Sequence, residues 1–160
     1  MALADMFLLI EGQKTGKIKG ESKDLVYPEH IQILGWTWGM SSSASMGGGD
    51  ISAKTALSEL HISKNVDTAT TALMSVMRNN EVIKKGVLTV RKSGGKPIDY
   101  FKLIFERGRI TSHTIASQSG PELTEQLSIA FEKIEVQHCA QDDTGAKKAA
   151  STFTAEVDRN

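Results

Sequence analysis

The residues whose types and spacing come closest to a known chemistry lie in MGGGDISAKT, residues 46–55. Loops that bind nucleotide phosphates follow the pattern G-x-x-x-x-G-K-[ST], and Gly48, Lys54 and Thr55 have that spacing. Ala53 stands where the second glycine belongs, and its Cβ would occupy space that the phosphate needs. A polar run, SSSAS, precedes the glycines where such a site requires a buried strand. We interpret the segment as a flexible loop; a nucleotide hydrolase that binds ATP through Lys54 is the alternative.

The other reactive residues lack the spacing of a catalytic or metal site. His138 and Cys139 are adjacent, so on a strand they would point to opposite faces, and the remaining histidines show no ligand spacing around them. The serines lie outside any G-x-S-x-G motif, the usual signature of a nucleophilic serine in hydrolases. We predict no catalytic residue, no cofactor and no metal, and therefore a protein that is not an enzyme.

Charge and composition restrict the partners of this 160-residue chain. It carries 19 Lys and Arg against 19 Asp and Glu, which gives a formal net charge of zero. Nucleic acids and acidic membranes bind basic surfaces, so neither is an expected partner. The single cysteine, Cys139, indicates a reducing compartment. The N-terminal apolar run, residues 6–10, is too short for a signal peptide or a membrane span.

The elements that must position these residues are mostly strands. Apolar and polar residues alternate in MFLLIEG, VLTVRKSGG, IDYFKLIFERGRITSHTI and LTEQLSIAFEKIEVQHC. In residues 31–38 the alternation changes phase near Gly35, which predicts a bulge or bend. Residues 67–80 have helical spacing with Asp67 as the N-cap, whereas residues 53–66 fit a helix or a strand in their first half and a strand in their second. These patterns predict an antiparallel β-barrel or sandwich with one helix.

Two further features concern binding to other molecules. Trp36 and Trp38 share one strand face, which can stack on a carbohydrate or a base, but we interpret both as core residues. An antiparallel sheet must also close, cover its edges or pair them with another chain. With a neutral charge and no catalytic set, the residues favour assembly as the function. A monomeric ligand-binding β-barrel with an apolar interior pocket is the alternative.

An ordered set of short motifs makes the chain similar to a known family. The motifs are MFLLIEG, IKGESKD, ILGWTWGMS, SMGGG, LHISKNVD, LTVRKSGG, DYFKLIFERGRITS and FTAEVDRN. With them the chain resembles the haemolysin-coregulated protein (Hcp) family, the inner-tube subunit of bacterial type VI secretion systems. The resemblance implies a mainly β fold, an antiparallel β-barrel of two packed sheets with one α-helix, as in phage tail-tube proteins. It also implies a single domain over residues 1–160.

The resemblance further implies a structural role. Six copies would form a homohexameric ring, and the rings would stack into a hollow tube that is built in the bacterial cytoplasm. The implied partners besides other copies of the chain are a contractile sheath, a spike protein and secreted effectors. Contraction would expel the tube with its effectors, so the protein would be secreted without a cleaved signal peptide.

Protruding loops are the predicted contacts between stacked rings, and barrel edges and the helix face are the predicted contacts within a ring. An extended loop can lie across a neighbouring subunit and pair with its main chain. The candidate segments are KGESKD and residues 42–55, because both are polar and the second is rich in glycine. From them, the predicted stacking residues are Lys19, Gly20, Glu21, Ser22, Lys23, Asp24, Met46, Gly47, Gly48, Gly49 and Asp50.

Overall fold

The computed structural model describes residues 5–44, 53–92, 98–141 and 147–157, which form eleven strands and one helix. Helix α1 (Ala69–Arg78) lies between the seventh and eighth strands. The strands are β1 (Asp5–Gly12), β2 (Gly16–Ile18), β3 (Ile31–Gln32), β4 (Gly35–Thr37), β5 (Met40–Ala44), β6 (Ala53–Leu57), β7 (Leu60–Asn65), β8 (Ile83–Lys92), β9 (Ile98–Ser117), β10 (Leu123–Gln141) and β11 (Lys147–Glu156).

Nine of these strands form one antiparallel sheet. Its hydrogen-bonded order is β2-β1-β8-β9-β10-β7-β4, with β3 beside β1 and β11 beside β10. Strands β8, β9 and β10 are neighbours in sequence and in space, as expected for antiparallel strands joined by short connections. Strands β5 and β6 form a separate two-stranded sheet.

Residues 31–37 bring the two ends of the long sheet together. Strand β3 pairs with β1 and strand β4 pairs with β7, and between them the Leu34 N–H donates to the Ser63 carbonyl at 2.7 Å. This change of partner occurs where the sequence predicts a bend, near Gly35. The sheet therefore curls around one core, although its ladder does not close as a continuous barrel. The predicted fold class, mainly β and antiparallel with one helix, is confirmed.

One hydrophobic core fills the space inside the curled sheet. It takes alternate residues from each strand, because successive side chains of a strand point to opposite faces. The Phe105 ring covers Gly86, where a Cβ would collide with the ring. Fully buried members of the core include Leu8, Ile10, Leu60, Leu73, Ile83, Leu88, Leu103, Phe105 and Ile129.

Helix α1 packs its apolar face on this core. Ala69, Leu73 and Val76 are buried, and their spacing places them on one side of the helix. The helix starts after Thr68, one residue later than the sequence predicts. The Asp67 carboxylate nevertheless accepts a hydrogen bond from the Ala69 N–H at 3.0 Å, so Asp67 still satisfies a free N–H group of the first turn.

Two interpretations that the sequence left open are decided by the sheet. The segment with an ambiguous first half is strand in both halves, since it forms β6 and β7, and the helical alternative is wrong. Its first half pairs with β5 and its second half with β10. Trp36 and Trp38 are partly buried and pack against the core, where Trp36 stacks on Phe101 at a ring distance of 5.3 Å. The interpretation of both tryptophans as core-packing side chains is confirmed.

Candidate assembly surface

The KGESKD segment begins a folded arm, residues 19–30, between β2 and β3. The two halves of the arm are hydrogen-bonded: the Gly20 N–H donates to the Glu29 carbonyl at 2.7 Å and the Ser22 N–H to the His30 carbonyl at 3.1 Å. The Glu29 N–H donates in return to the Ser22 carbonyl at 2.8 Å. Gly20 has no room for a side chain, because a Cβ there would lie 2.6 Å from the His30 carbonyl oxygen. The arm therefore has a fixed shape within a single copy.

The predicted stacking residues of the arm play two different parts. Ser22 is buried, and its Oγ accepts a hydrogen bond from the Asp24 N–H at 3.2 Å. The Asp24 carboxylate accepts hydrogen bonds from two main-chain N–H groups further along the arm. Ser22 and Asp24 thus hold the arm together. The exposed members of the predicted set are Lys19, Glu21 and Lys23.

Arg91, near the end of β8, fixes the arm to the sheet. Its guanidinium donates to Asp24 at 2.6 and 3.0 Å, and to Asp5 of β1 at 2.9 Å. It also lies over the rings of Phe7 and Tyr27, 5.1 and 5.8 Å from their centroids. The hydrogen bonds from Arg91 hold the pKa of Asp24 well below its usual value, so Asp24 is an anion at neutral pH.

Tyr27 ties the arm to a second strand. Its hydroxyl donates to the carboxylate of Asp99 in β9, and its ring stacks on Phe7 with centroids 4.9 Å apart. Burial, followed by the hydrogen bond to Asp99, raises the pKa of Tyr27, and the hydroxyl therefore stays protonated at neutral pH. The outer part of the arm is consequently held by β1, β8 and β9 together.

Leu25 and Val26 form the outermost part of the arm, which we name the apolar tip. The Leu25 residue is 97% exposed and Val26 is 68% exposed. Aliphatic side chains are mostly buried in folded proteins, and here two of them project from a segment with a fixed shape. The sequence patterns did not single out Leu25 and Val26, because a single pair of apolar residues inside a charged loop matches no strand or helix pattern.

The second predicted contact segment, residues 42–55, belongs to the hairpin of β5 and β6. These strands pair with each other, and the side chains at positions 41–43 and 54–56 are exposed. Lys54 and Thr55 lie within a strand rather than at the start of a helix, so the nucleotide interpretation loses the context that it requires. Five predicted stacking residues lie outside the described residues: Met46, Gly47, Gly48, Gly49 and Asp50.

The hairpin is attached to the rest of the chain at its base. The Trp38 indole N–H donates to the Ser58 carbonyl at 3.0 Å, and the Gly39 N–H donates to the Ser58 Oγ at 2.9 Å. Beyond this attachment, neither β5 nor β6 has another strand of the described ranges beside it. The hairpin therefore offers exposed main-chain groups and small polar side chains.

The outer face of α1 provides a second apolar surface, which we name the helix groove. Met74 is 44% exposed. Ile115 is also exposed and lies two residues beyond His113 on the same face of β9, so it extends this surface. The groove is an open cavity of about 540 Å³ lined by Met74, Ser75, Met77, Arg78 and His113.

A buried ionic cluster fixes the start of α1. Lys64 of β7 forms ion pairs with Glu125 of β10 and with Asp67, the latter at 2.7 Å. The Thr70 hydroxyl donates to Glu125 at 2.6 Å, and His113 Nε2 lies 2.6 Å from its other oxygen. Burial alone would raise the pKa of Glu125, but the hydrogen bonds from its three partners outweigh burial and lower it. The cluster joins α1 to three strands, which is a structural role.

In the described ranges no helix has the length and apolarity needed to cross a membrane. The same ranges contain no group of three or more His, Cys, Asp or Glu side chains that can hold a metal ion.

The arm, the hairpin and the helix groove make up the candidate functional surface.

Sequence comparisons place the chain among known proteins. A sequence model described as "Type VI secretion system effector, Hcp" matches residues 7–138. Protein hcp1 of Pseudomonas aeruginosa is 34% identical over 147 residues, which cover 89% of this chain and 88% of that protein.

Solved structures agree at the level of the fold. The solved structure of a type six secretion system protein superposes with a TM-score of 0.84 at 19% identity; the match covers 97% of this chain and 96% of that one. Hcp1 from Salmonella typhimurium superposes with a TM-score of 0.73 at 21% identity and covers 96% of this chain and 95% of its own. The chain belongs to the Hcp family of type VI secretion system proteins.

Proposed function

We propose that six copies of this chain, each a single domain over residues 1–160, close into a ring and that the rings stack into a hollow tube. In this proposal the tube is built in the bacterial cytoplasm inside a contractile sheath and beneath a spike protein. It is then expelled with its effectors, without cleavage of a signal peptide. The chain acts by assembly and has no catalytic step.

The observation that carries the proposal is the hairpin of β5 and β6. Two strands without a third strand or a helix beside them are at best marginally stable in water. This hairpin has exposed side chains and pairs only with itself among the described residues. Packing against another copy supplies the surface that the hairpin lacks within its own chain.

Strand edges supply a second set of contacts. Strand β11 pairs with β10 on one side, and most of its described side chains are exposed, including Phe153. An exposed edge strand pairs readily with another chain unless it is blocked. This edge, together with the neutral net charge, supports association of identical copies.

The interior of the curled sheet bears on the alternative, a monomeric barrel that binds a ligand inside. Such a protein needs an apolar cavity between its sheets. Here that space is filled by fully buried side chains, including Leu88, Leu103 and Phe105. The described interior therefore supports a packed structural domain.

Native mass spectrometry of the full chain tests the proposal. A ring of six chains of 17.4 kDa has a mass of about 104 kDa, and we expect this species at micromolar concentration. A stable species of 17.4 kDa at that concentration contradicts the proposal.

A shortened variant separates assembly from folding. Replacing residues 42–55 by Asn-Gly removes most of β5 and β6 and joins the paired residues Ser41 and Ala56 through a two-residue turn. The side chains at positions 42, 43, 54 and 55 are exposed, so the variant is expected to keep its folded core, as measured by its circular dichroism spectrum, and to lose the stacking of rings. A variant that still forms complete, stacked rings shows that the hairpin is not a contact.

A further inference from the structure

We draw no further inference here: the strongest candidate, the polar cavity that Thr37, His61, Ser63, Gln126 and Ser128 line on the outer face of β4, β7 and β10, is an open sheet surface, and nothing in the structure shows what covers it.

Discussion

Two ionic clusters use the same kinds of groups in different surroundings. The cluster of Lys64 and Glu125 is fully buried, with 0% of either side chain exposed. In the cluster of Arg91, the arginine side chain is 9% exposed, but its partners Asp24 and Asp5 are 22% and 43% exposed. The first cluster joins α1 to the sheet, and the second joins the arm to the sheet.

Because the two clusters differ in burial, we expect them to have different roles: the buried one stabilises the fold, and the partly exposed one holds a surface segment in place. A buried charge that loses its partner cannot be solvated, so breaking such a pair destabilises the whole fold. A partly exposed pair regains water when it is broken, and the loss stays small and local. We therefore regard the Lys64 cluster as part of the core and the Arg91 cluster as the device that holds the apolar tip in place.

The largest expected effect is on the buried cluster. Glu125→Ala leaves the Lys64 ammonium in the core with Asp67 as its remaining carboxylate partner, and we expect a loss of about 3–5 kcal/mol in the free energy of unfolding. Urea denaturation at one fixed protein concentration measures it, because association also stabilises the folded chain. The double variant Lys64→Met, Glu125→Leu is the control and is expected to lose less. A loss below about 1 kcal/mol for Glu125→Ala would place this cluster in the same class as a surface pair.

Lowering the pH is expected to weaken both clusters, because each contains a carboxylate that must stay ionised. The folded-state pKa values of Glu125 and Asp24 lie below their ordinary values of about 4. Their contribution to stability is therefore complete above pH 5 or so and is lost as the pH falls towards the folded-state values. Urea midpoints between about pH 7 and about pH 3 should fall more steeply for the wild type than for the Lys64→Met, Glu125→Leu double variant. Parallel curves would mean that Glu125 titrates normally.

A smaller and more local effect is expected from Asp24→Asn. The variant keeps the shape of the side chain but weakens its bonds to Arg91 and to the Val26 and Tyr27 N–H groups. Hydrogen exchange should become faster over residues 22–28, with little change in the urea midpoint. Unchanged exchange in that segment would show that the arm does not depend on the Arg91 cluster.

The smallest effect is expected at the base of the arm. The Lys19–Glu29 pair spans 3.6 Å, and its side chains are 73% and 64% exposed. Lys19→Ala should change the free energy of unfolding by less than about 0.5 kcal/mol in the same urea experiment. A change as large as that of Glu125→Ala would mean that burial does not decide how much an ion pair contributes in this protein.

Much of the fold follows from local patterns in the sequence. Alternation predicted the main strands, and the i, i+3, i+4 spacing of apolar residues predicted α1 almost to the residue. The phase change near Gly35 predicted the point where the chain moves from β1 to β7. These features depend on near neighbours along the chain.

The parts that could not be predicted depend on residues distant in sequence. Lys64 and Glu125 meet only because β7 and β10 are paired, and separately each resembles an ordinary surface charge. Ser22 and Asp24 looked like exposed contact residues, yet their partners lie within the arm and on Arg91. Leu25 is the opposite case: an apolar residue that sequence rules place inside is held outside by that same arginine.

Electron cryo-microscopy of the concentrated wild-type chain tests the central claim most directly. We predict six-fold rings in end views and stacked rings in side views, with the arm and the hairpin of each copy at the contact between rings. Particles of single chains would contradict the proposed tube. Stacked rings in which both the arm and the hairpin end in solvent would contradict the predicted stacking contacts.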